Sequence, residues 1–251
     1  MELNKIYNWN CIDVMKQLPN GSVNMVLTSP PYDNLRDYNW YEFNFEWIAD
    51  ELLRIVADGW VVVRIVNDGI VKWSETWTSF RQALYFKEIG FNLHDTMIRA
   101  KDTFNFPDNT RYWQSFEYMF VFSKWRPNTI NKICDRKNIY WWTSVHWTNR
   151  EKDWTLRRKT NHNKTMIREF WERFNVWHIS WEKQNKTWHP AVFPLQLAKD
   201  HILSRSNEWD IVLDPMCWSW TTCLAAKELG RNYIWIDISK EYCEIAENRL
   251  L

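Results

Sequence analysis

Glycine is scarce in this sequence, and tryptophan is abundant. Average usage would supply about 18 glycines in a chain of this length. The 251 residues include only 5 glycines, beside 20 tryptophans. Glycine accommodates positive φ in turns and lets two backbones approach closely. The turns of this chain must therefore use other residues where glycine is usual.

Several tryptophans stand at such positions. Trp60 follows Asp58-Gly59 ahead of an apolar run, and Trp209 lies in a polar stretch. Trp218 and Trp220 fall between a predicted strand and a predicted helix. Our hypothesis is that the source organism reads the UGA codon as glycine, whereas this sequence renders it as tryptophan. The alternative is a truly tryptophan-rich protein, and TGG codons at these positions would establish it.

Long apolar runs are also missing. None approaches the roughly 20 residues that a membrane-spanning helix needs, and the longest, Val61 to Val66, is interrupted by Arg64. The N-terminus has no signal-peptide pattern. We therefore expect a cytoplasmic protein.

The cysteines form no recognisable framework. There are five of them, an odd number, and no two have the Cys-x-x-Cys spacing. Neither a set of disulfides nor a zinc site is indicated. We expect free thiols and no bound metal.

One segment is strongly basic, although the net charge of the chain is only +1. Residues 123–187 contain fifteen Lys and Arg against six Asp and Glu. Hydrophobic periodicity is weak there, and the cations lie among Asn, Thr, His and aromatic residues, a pattern typical of phosphate contacts. This pattern predicts a nucleic-acid-binding segment, and the alternative is a solvated, irregular insertion. The candidate DNA-binding residues are Arg157, Arg158, Lys159 and Lys164.

Outside that segment, short apolar runs alternate with stretches of helical periodicity. This alternation predicts an α/β fold. Strands are expected at 5–7, 23–27, 61–66, 93–98, 117–123, 211–213 and 233–236. Helices are expected at 12–18, 45–56, 78–89, 194–204, 221–229 and 239–250.

The loop Thr28-Ser29-Pro30-Pro31-Tyr32 follows the second predicted strand. Two prolines fix φ and donate no backbone hydrogen bond, so the loop is rigid and its carbonyls are available as acceptors. The Ser29 hydroxyl and the Pro30 carbonyl can accept hydrogen bonds from the amino group of a base, and Tyr32 can stack on an extruded base. The loop therefore suits chemistry at a nucleobase nitrogen. Taken alone, it could also be a simple turn that closes a buried strand.

A second constellation lies near the C-terminus. A strand, a turn at 214–220, a helix and a strand that ends at Asp237 have the form of a Rossmann half, in which the acid holds ribose hydroxyls. With glycine in place of Trp218 and Trp220, the turn contains Gly-Ser-Gly, and Trp235 becomes a glycine two residues before Asp237. A β-α-β unit without a ligand is the alternative at this point.

Together, the two constellations resemble the amino-group DNA methyltransferases. That family has the motif Asp, Asn or Ser followed by Pro-Pro and Tyr or Phe, and a cofactor loop with Gly-x-Gly. The catalytic motif comes first here and the cofactor loop last, as in the β-ordered group of the family, over nearly the whole chain. The resemblance implies a doubly wound, Rossmann-like α/β sheet of seven strands with circularly permuted motif order. It also implies a catalytic half at 1–123, a basic target-recognition insert at 124–187 and an S-adenosylmethionine-binding half at 188–251.

The resemblance also implies roles for individual residues. Ser29, Pro30 and Tyr32 would bind and activate the base, Asp214 would face the methionine amino group, and Asp237 would bind the ribose. The implied catalytic residues are Ser29, Pro30, Pro31 and Tyr32. The implied cofactor-binding residues are Asn10, Cys11, His189, Pro190, Asp214, Pro215, Cys217, Trp218, Ser219, Trp220, Thr221 and Asp237.

Serine at the first motif position favours cytosine N4 as the target, and adenine N6 is the alternative. Double-stranded DNA is the expected partner of a bacterial or phage-encoded enzyme acting near the nucleoid. A cognate restriction endonuclease, the recognition sequence and the oligomeric state remain open.

A non-catalytic DNA-binding protein is the alternative from another functional class, because Trp218 and Trp220 would block the cofactor loop. Methylation of RNA or protein is also open, and the basic segment argues against protein.

Overall fold

A computed structural model describes residues 1–31, 44–102, 109–144, 148–158, 166–180, 194–217 and 221–250. The chain divides into two compact units. The larger consists of Met1–Asn131 and Asn175–Leu251, and the smaller of Lys132–Phe174. The boundaries at 123 and 187 that the resemblance implies stay a prediction.

The larger unit is built on one sheet of eight strands. In chain order the strands of the described residues are β1 (Lys5–Asn8), β2 (Val23–Thr28), β3 (Val56–Val66), β4 (Ile70–Val71), β5 (Ser74–Glu75), β6 (Asn92–Ala100), β7 (Phe116–Ser123), β8 (Arg136–Lys137), β9 (Thr148–Arg150), β10 (Leu156–Arg158), β11 (Phe170–Trp171), β12 (Val176–His178), β13 (Ile211–Asp214) and β14 (Asn232–Asp237). The order across the sheet is β1-β14-β13-β2-β3-β7-β6-β12. Every neighbouring pair is parallel except the two that involve β7. The carboxyl ends of the other seven strands therefore share one edge of the sheet.

Helices cover this sheet. They are α1 (Cys11–Lys16), α2 (Phe45–Ile55), α3 (Thr78–Glu88), α4 (Leu195–Arg205), α5 (Thr221–Glu228) and α6 (Lys240–Leu250). The crossover β2-α2-β3 and the crossover β13-α5-β14 run in opposite directions along the sheet. Right-handed connections then place α2 and α5 on opposite faces. In agreement, α2 contacts α1 and α3, whereas α5 contacts α4. This is the α/β fold that the alternation of strands and helices predicts, and it is doubly wound, as the resemblance implied. None of the helices in the described ranges is long and apolar enough to span a membrane.

The central strands are apolar because helices cover both faces of the sheet. In β2, Val23, Met25, Val26 and Leu27 are fully buried. The neighbouring β3 contributes an equally buried run at 61–63. Such continuous apolar runs were the signals that located these strands in the sequence.

The sheet differs from the expected seven strands by one. The additional strand is β12, which pairs in parallel with β6 at the edge of the sheet. It has three residues and lies within the basic stretch, so hydrophobic periodicity could not reveal it. Trp177 of β12 is buried, and its ring packs at 4.5 Å from the imidazole of His201 on α4. Residues 176–178 thus extend the main sheet at its edge.

The smaller unit consists of short antiparallel pairs. The strands β9 and β10 form a hairpin, and β8 pairs with β11. The guanidinium of Arg136 lies 4.1 Å from the ring centre of Phe174, and Arg173 forms an ion pair with Asp135. Cation–π and ionic contacts therefore contribute to packing in a unit where many of the large apolar side chains are exposed.

Left-handed backbone is concentrated at tryptophan. Seven described residues other than glycine have positive φ, and five of them are tryptophans. These five are Trp73, Trp77, Trp125, Trp154 and Trp209. Positive φ in non-glycine residues is uncommon and normally favours Asn, Asp or His, because a bulky side chain clashes with the backbone there. The backbone therefore adopts glycine conformations at these tryptophans, as the codon hypothesis predicts.

Two of these tryptophans occupy hairpin positions with a known requirement for glycine. Lys72 and Trp73 join β4 to β5 with φ of 47° and 69°, the pattern of a type I′ turn, which prefers glycine second. Between β9 and β10, the Trp154 amide donates to the Glu151 carbonyl at 3.0 Å, and Trp154 has φ of 67°. A left-handed residue that ends such a turn is the glycine of a G1 bulge.

Trp209 has φ of 69°, which confirms the expected left-handed backbone there. At Trp60 that expectation is wrong. Trp60 lies inside β3, and the positive φ belongs to the preceding Gly59. The local Asp-Gly signal had already supplied the glycine that this turn needs.

We expect Trp73→Gly and Trp209→Gly each to stabilise the larger unit by about 1 kcal/mol. Each change relieves left-handed strain of about 1–2 kcal/mol. It removes little buried area, because the two side chains are 78% and 75% exposed. Urea denaturation followed by circular dichroism measures the effect. Trp177→Gly is the matched control and should destabilise by several kcal/mol, because this indole is 5% exposed. Equal losses in all three variants would contradict the prediction.

Candidate functional site

The two sequence constellations meet at the centre of the carboxyl edge of the sheet. Strand β13 pairs directly with β2, with Leu213 opposite Val26. From this pair the chain proceeds to β14 on one side and to β3 on the other, so the topological switch point lies here. In open α/β sheets, ligands bind in the crevice at such a point.

The described part of the proline loop follows β2 directly. Pro30 is buried, and Ser29 and Pro31 are half-buried. The preceding residue, Thr28, ends β2 and pairs with Arg64 of β3. A central strand thus holds the start of the loop, and its position is fixed by the sheet.

Asp214 ends β13 beside this loop and is 3% exposed. Burial raises the pKa of its carboxyl to about 7, although interactions with Thr222, the Met216 amide and Thr28 lower it. The Met216 amide donates to the carboxylate at 3.2 Å. A carboxyl kept from water in this way gains from a cationic ligand that would take the place of the lost solvation.

Asp237 ends β14 and is also buried. Burial raises the pKa of its carboxyl to about 6, and the Ser239 amide, which donates to one oxygen at 2.8 Å, opposes the shift. The Asn8 side chain at the end of β1 donates to the Asp237 carbonyl at 3.1 Å. The N-terminal strand therefore lies beside the C-terminal half of the site.

Asn10 and Cys11 lie at the same edge, directly after β1. The Asn10 side chain accepts a hydrogen bond from the Ile12 amide at 2.9 Å and caps α1. Burial raises the pKa of the Cys11 thiol to about 11, so the thiol is neutral and its environment is apolar. Both residues lie beside Asp237 through the pairing of β1 with β14.

The turn after β13 is described only at its two ends. Pro215, Cys217 and Thr221 are all buried. Cys217 and Cys223 lie close together, but their Cα atoms are 7.5 Å apart, beyond the usual span of a disulfide, so the expectation of free thiols stays a prediction for these two cysteines. The turn brings the end of β13 and the first turn of α5 together, which the sequence spacing did not reveal. Cys11, Cys134 and Cys243 are free, as expected.

Several candidate residues lie outside the described residues. From the catalytic and cofactor sets these are Tyr32, His189, Pro190, Trp218, Ser219 and Trp220, and from the DNA-binding set Lys159 and Lys164. Arg157 and Arg158 lie on β10 of the smaller unit, and Arg157 is exposed. In the described ranges, no group of three or more His, Cys, Asp or Glu could hold a metal ion.

Sequence reasoning missed the polar residues that follow β3. Asn67 and Asp68 come directly after this buried strand and are themselves buried. The Asp68 carboxylate accepts from the Ser79 amide at 2.8 Å and so holds the start of α3. A polar pair immediately after a central parallel strand was the signal available, since such residues face the carboxyl edge.

The pKa of Asp214 leads to a prediction for stability. Its pKa is about 3.9 in an unfolded chain and about 7 in the fold. The folded state therefore binds the proton more tightly. The stabilisation that comes from this tighter binding of the proton is complete below the pKa of the unfolded chain. It is lost as pH rises through the pKa of the folded state. We expect the free protein to lose a few kcal/mol between about pH 4 and pH 7.

Asp214→Asn should flatten this profile, because the amide resembles the neutral acid. Urea denaturation at several pH values measures both proteins. Asp237 acts in the same direction with a pKa of about 6, so a smaller slope should remain in the variant. A wild-type profile without this fall would contradict the prediction.

Comparisons with known proteins identify the family of this chain. The model of the N6/N4 family, described as DNA methylase, matches residues 23–248. The orphan methyltransferase M.BamHII of Bacillus amyloliquefaciens is 51% identical over 235 residues, which are 91% of this chain and 89% of that protein. The Type II methyltransferase M2.MboI of Moraxella bovis is 29% identical over 97% of this chain and 86% of its own length.

Two solved structures share the fold over 98% of this chain. The complex of M1.HpyAVI with SAM has a TM-score of 0.62, 26% identity and 98% of its own chain covered. The cytosine-N4-specific PvuII DNA methyltransferase has a TM-score of 0.72, 19% identity and 86% of its own chain covered. With a family model that matches most of its length and a relative 51% identical to it, the chain belongs to the N6/N4 DNA methylase family.

Proposed function

We propose that this DNA methylase transfers the methyl group of S-adenosylmethionine to the exocyclic amino nitrogen of an extruded DNA base, with cytosine N4 as the favoured target. The observation that carries the proposal is the meeting of the proline loop with two buried carboxyls at the switch point. Ser29 follows β2, and Asp214 ends the adjacent β13. A base and a cofactor bound to these elements would lie side by side.

The acidic residues fit the cofactor. S-adenosylmethionine supplies an electrophilic methyl group on a sulfonium, together with an ammonium group and ribose hydroxyls. Asp237 ends the strand where a Rossmann fold holds the ribose, and its carboxylate can accept from both hydroxyls. Asp214 ends the strand that pairs with β2, the strand that leads into the proline loop, so it would bind the ammonium group. Asn10 and Cys11 would form the side of the pocket that receives the adenine.

The proline loop would prepare the base for reaction. An exocyclic amino nitrogen is a weak nucleophile, since its lone pair is delocalised into the ring. The Ser29 hydroxyl and the Pro30 carbonyl can accept its two hydrogens and so hold the nitrogen in line with the methyl group. Stacking on Tyr32 would keep the base out of the helix. Positioning and hydrogen bonding are sufficient, with no covalent enzyme intermediate.

The choice of cytosine rests on Ser29 at the first motif position, and adenine N6 is the alternative. Mass analysis of nucleosides from DNA methylated by the protein distinguishes the two. N4-methylcytosine is the expected product, and N6-methyladenine would overturn the choice of base alone. Absence of both products would overturn the proposed function.

The basic segment would bind the DNA backbone. Arg157 is exposed on β10, and Arg158 follows it, and both are suited to phosphate contacts. The cytoplasm, next to the nucleoid, is where we propose that the enzyme acts. A restriction endonuclease of the same specificity would be its partner in a restriction-modification system. The relative from Bacillus amyloliquefaciens, by contrast, is called an orphan.

A non-catalytic DNA-binding protein is the second candidate, and one observation favours it. The sequence as written has Trp218 and Trp220 in the cofactor loop, where indoles would occupy the space that the methionine and ribose need. DNA binding without cofactor binding, measured by calorimetric titration of the chain as written, would support this candidate.

A further inference from the structure

We propose that Gln114 determines which bases the site accepts, by donating a hydrogen bond to the ring nitrogen beside the target amino group, and that Asn67 positions it. This inference rests on the proposed function. It concerns two side chains that no motif includes.

Gln114 and Asn67 form a reciprocal amide pair. The Gln114 amide donates to the Asn67 oxygen at 3.0 Å, and the Asn67 amide donates to the Gln114 oxygen at 3.3 Å. Asn67 is 9% exposed and also bonds to the Asp68 amide and the Phe116 carbonyl, at 3.0 and 3.5 Å. Both ends of Asn67 are thus engaged with protein groups, so it holds Gln114 in one orientation.

Gln114 retains hydrogen-bonding capacity. Its amide nitrogen has two hydrogens, and one of them serves Asn67. The residue is half-buried and lies just before β7, which begins at the carboxyl edge of the sheet. Its second N–H is therefore a fixed donor at the edge where the proline loop lies.

The pair is close to the proposed base site. Thr28 of β2 pairs with Arg64 of β3, and continuing this parallel register places Pro31 beside Asn67. Adjacent strands are about 4.8 Å apart. A base bound at the proline loop is therefore within reach of a side chain anchored on Asn67.

The other polar side chains nearby are committed to the fold. Asp68 holds the start of α3 through Ser79. Glu117 forms buried ion pairs with Arg99 at 2.8 Å and Lys101 at 3.4 Å. Among the described residues that follow β3 or precede β7, Gln114 is therefore the one best placed to read a base.

Base chemistry explains what this donor would achieve. Cytosine N3 and adenine N1 are acceptors that lie next to an amino group, whereas guanine N1 and thymine N3 carry a hydrogen. A fixed N–H would donate a hydrogen bond to cytosine N3 or adenine N1. It would face the N–H of guanine N1 or thymine N3, and two donors cannot form a hydrogen bond. A site with a required hydrogen bond discriminates strongly, because an unmatched partner leaves a buried polar group unpaired. Gln114 would thus admit the two amino bases that can be methylated and reject the other bases.

The test replaces the acceptor on the base. The full-length chain is used in the form that transfers methyl groups, either as written or with glycine at 218 and 220. Sequencing of methylated DNA gives the recognition sequence. Oligonucleotides then carry either the normal target base or its deaza analogue, in which C–H replaces the ring nitrogen. We expect the parent protein to lose about tenfold in kcat/KM on the deaza substrate.

Gln114→Met has a similar shape and no donor, so it should lose about tenfold on the normal base and nothing further on the deaza analogue. Gln82→Met is the matched control. Gln82 is also half-buried, and it accepts from the Arg64 guanidinium at 2.7 Å. It should retain the full deaza penalty whatever its stability. An equal penalty in the parent and Gln114→Met would overturn the inference and leave the proposed function standing. If no form of the chain methylates DNA, the proposed function fails, and this inference with it.

Discussion

Replacing Trp218 and Trp220 by glycine is expected to raise the affinity for S-adenosylmethionine by about 100-fold or more. In a Rossmann half, the glycines of this turn let the backbone approach the ligand, and any side chain there occupies ligand space. A 100-fold gain corresponds to about 2.7 kcal/mol. The residues on either side of the turn already offer polar groups for the cofactor, because Asp214 lies buried before the turn and Thr221 lies buried after it.

Calorimetric titration of the two full-length proteins measures this gain. Trp209→Gly is the matched control, because it makes the same change in a surface turn, where φ is 69° and the indole is 75% exposed. It should add stability without changing cofactor affinity. Tight binding by the chain as written would show that the indoles leave room for the cofactor, and the steric argument would then be wrong.

Trp235 supports the same interpretation from inside the fold. It is fully buried, and its ring stacks on Tyr233 of the same strand with centroids only 3.5 Å apart. Its indole nitrogen has no hydrogen-bond partner among the described residues. A buried, unpaired N–H costs about 1–3 kcal/mol. The codon hypothesis places a glycine here, two residues before Asp237, and the crowding around the indole agrees with that placement.

Intact-mass measurement on protein from the source organism tests the codon hypothesis directly. Each exchanged position lowers the mass by the difference between a tryptophan and a glycine. A mass equal to that of the printed sequence would disprove the hypothesis. The left-handed tryptophans would then be strained positions, and their relief by glycine would remain measurable.

Much of the fold could be predicted because its signals are local. The central strands β2 and β3 are continuous apolar runs, since parallel strands covered on both faces contact little water. Helix ends were equally readable. Serine is a favoured N-cap residue, and the Ser239 hydroxyl accepts from the Tyr242 amide at 3.4 Å at the start of α6. Periodicity and capping together located seven of the eight strands of the main sheet and the helices that cover it.

The features that escaped prediction depend on contacts between distant segments. The strand β12 has only three residues and exists because it pairs with β6, which lies about 80 residues earlier in the chain. The amide pair of Asn67 and Gln114 likewise joins the end of β3 to the start of β7. Motif spacing selected Ser29, Asp214 and Asp237 because these residues lie at the carboxyl ends of strands. It could not reveal residues whose positions are set by partners across the sheet.

Ser29→Ala and Tyr32→Ala are each expected to lower the methyl-transfer rate by about tenfold to 100-fold, and the double variant more. Ser29 would accept a hydrogen of the target amino group, and loss of such a positioned partner weakens the transition state more than the ground state. Stacking of a base on an aromatic ring contributes about 1–3 kcal/mol, so Tyr32 should affect retention of the extruded base. Single-turnover transfer of a labelled methyl group to DNA separates the two effects. Ser29→Ala should lower the rate at saturating DNA, whereas Tyr32→Ala should also raise the DNA concentration that gives half of the maximal rate.

Ser22→Ala is the matched control, because this half-buried serine precedes β2 and donates to the Pro19 carbonyl at 2.7 Å. The transfer rate of the Ser22→Ala variant should equal that of the parent. Unchanged transfer by Ser29→Ala would mean that the Pro30 carbonyl alone orients the amino group, and the proposed role of the serine would be wrong.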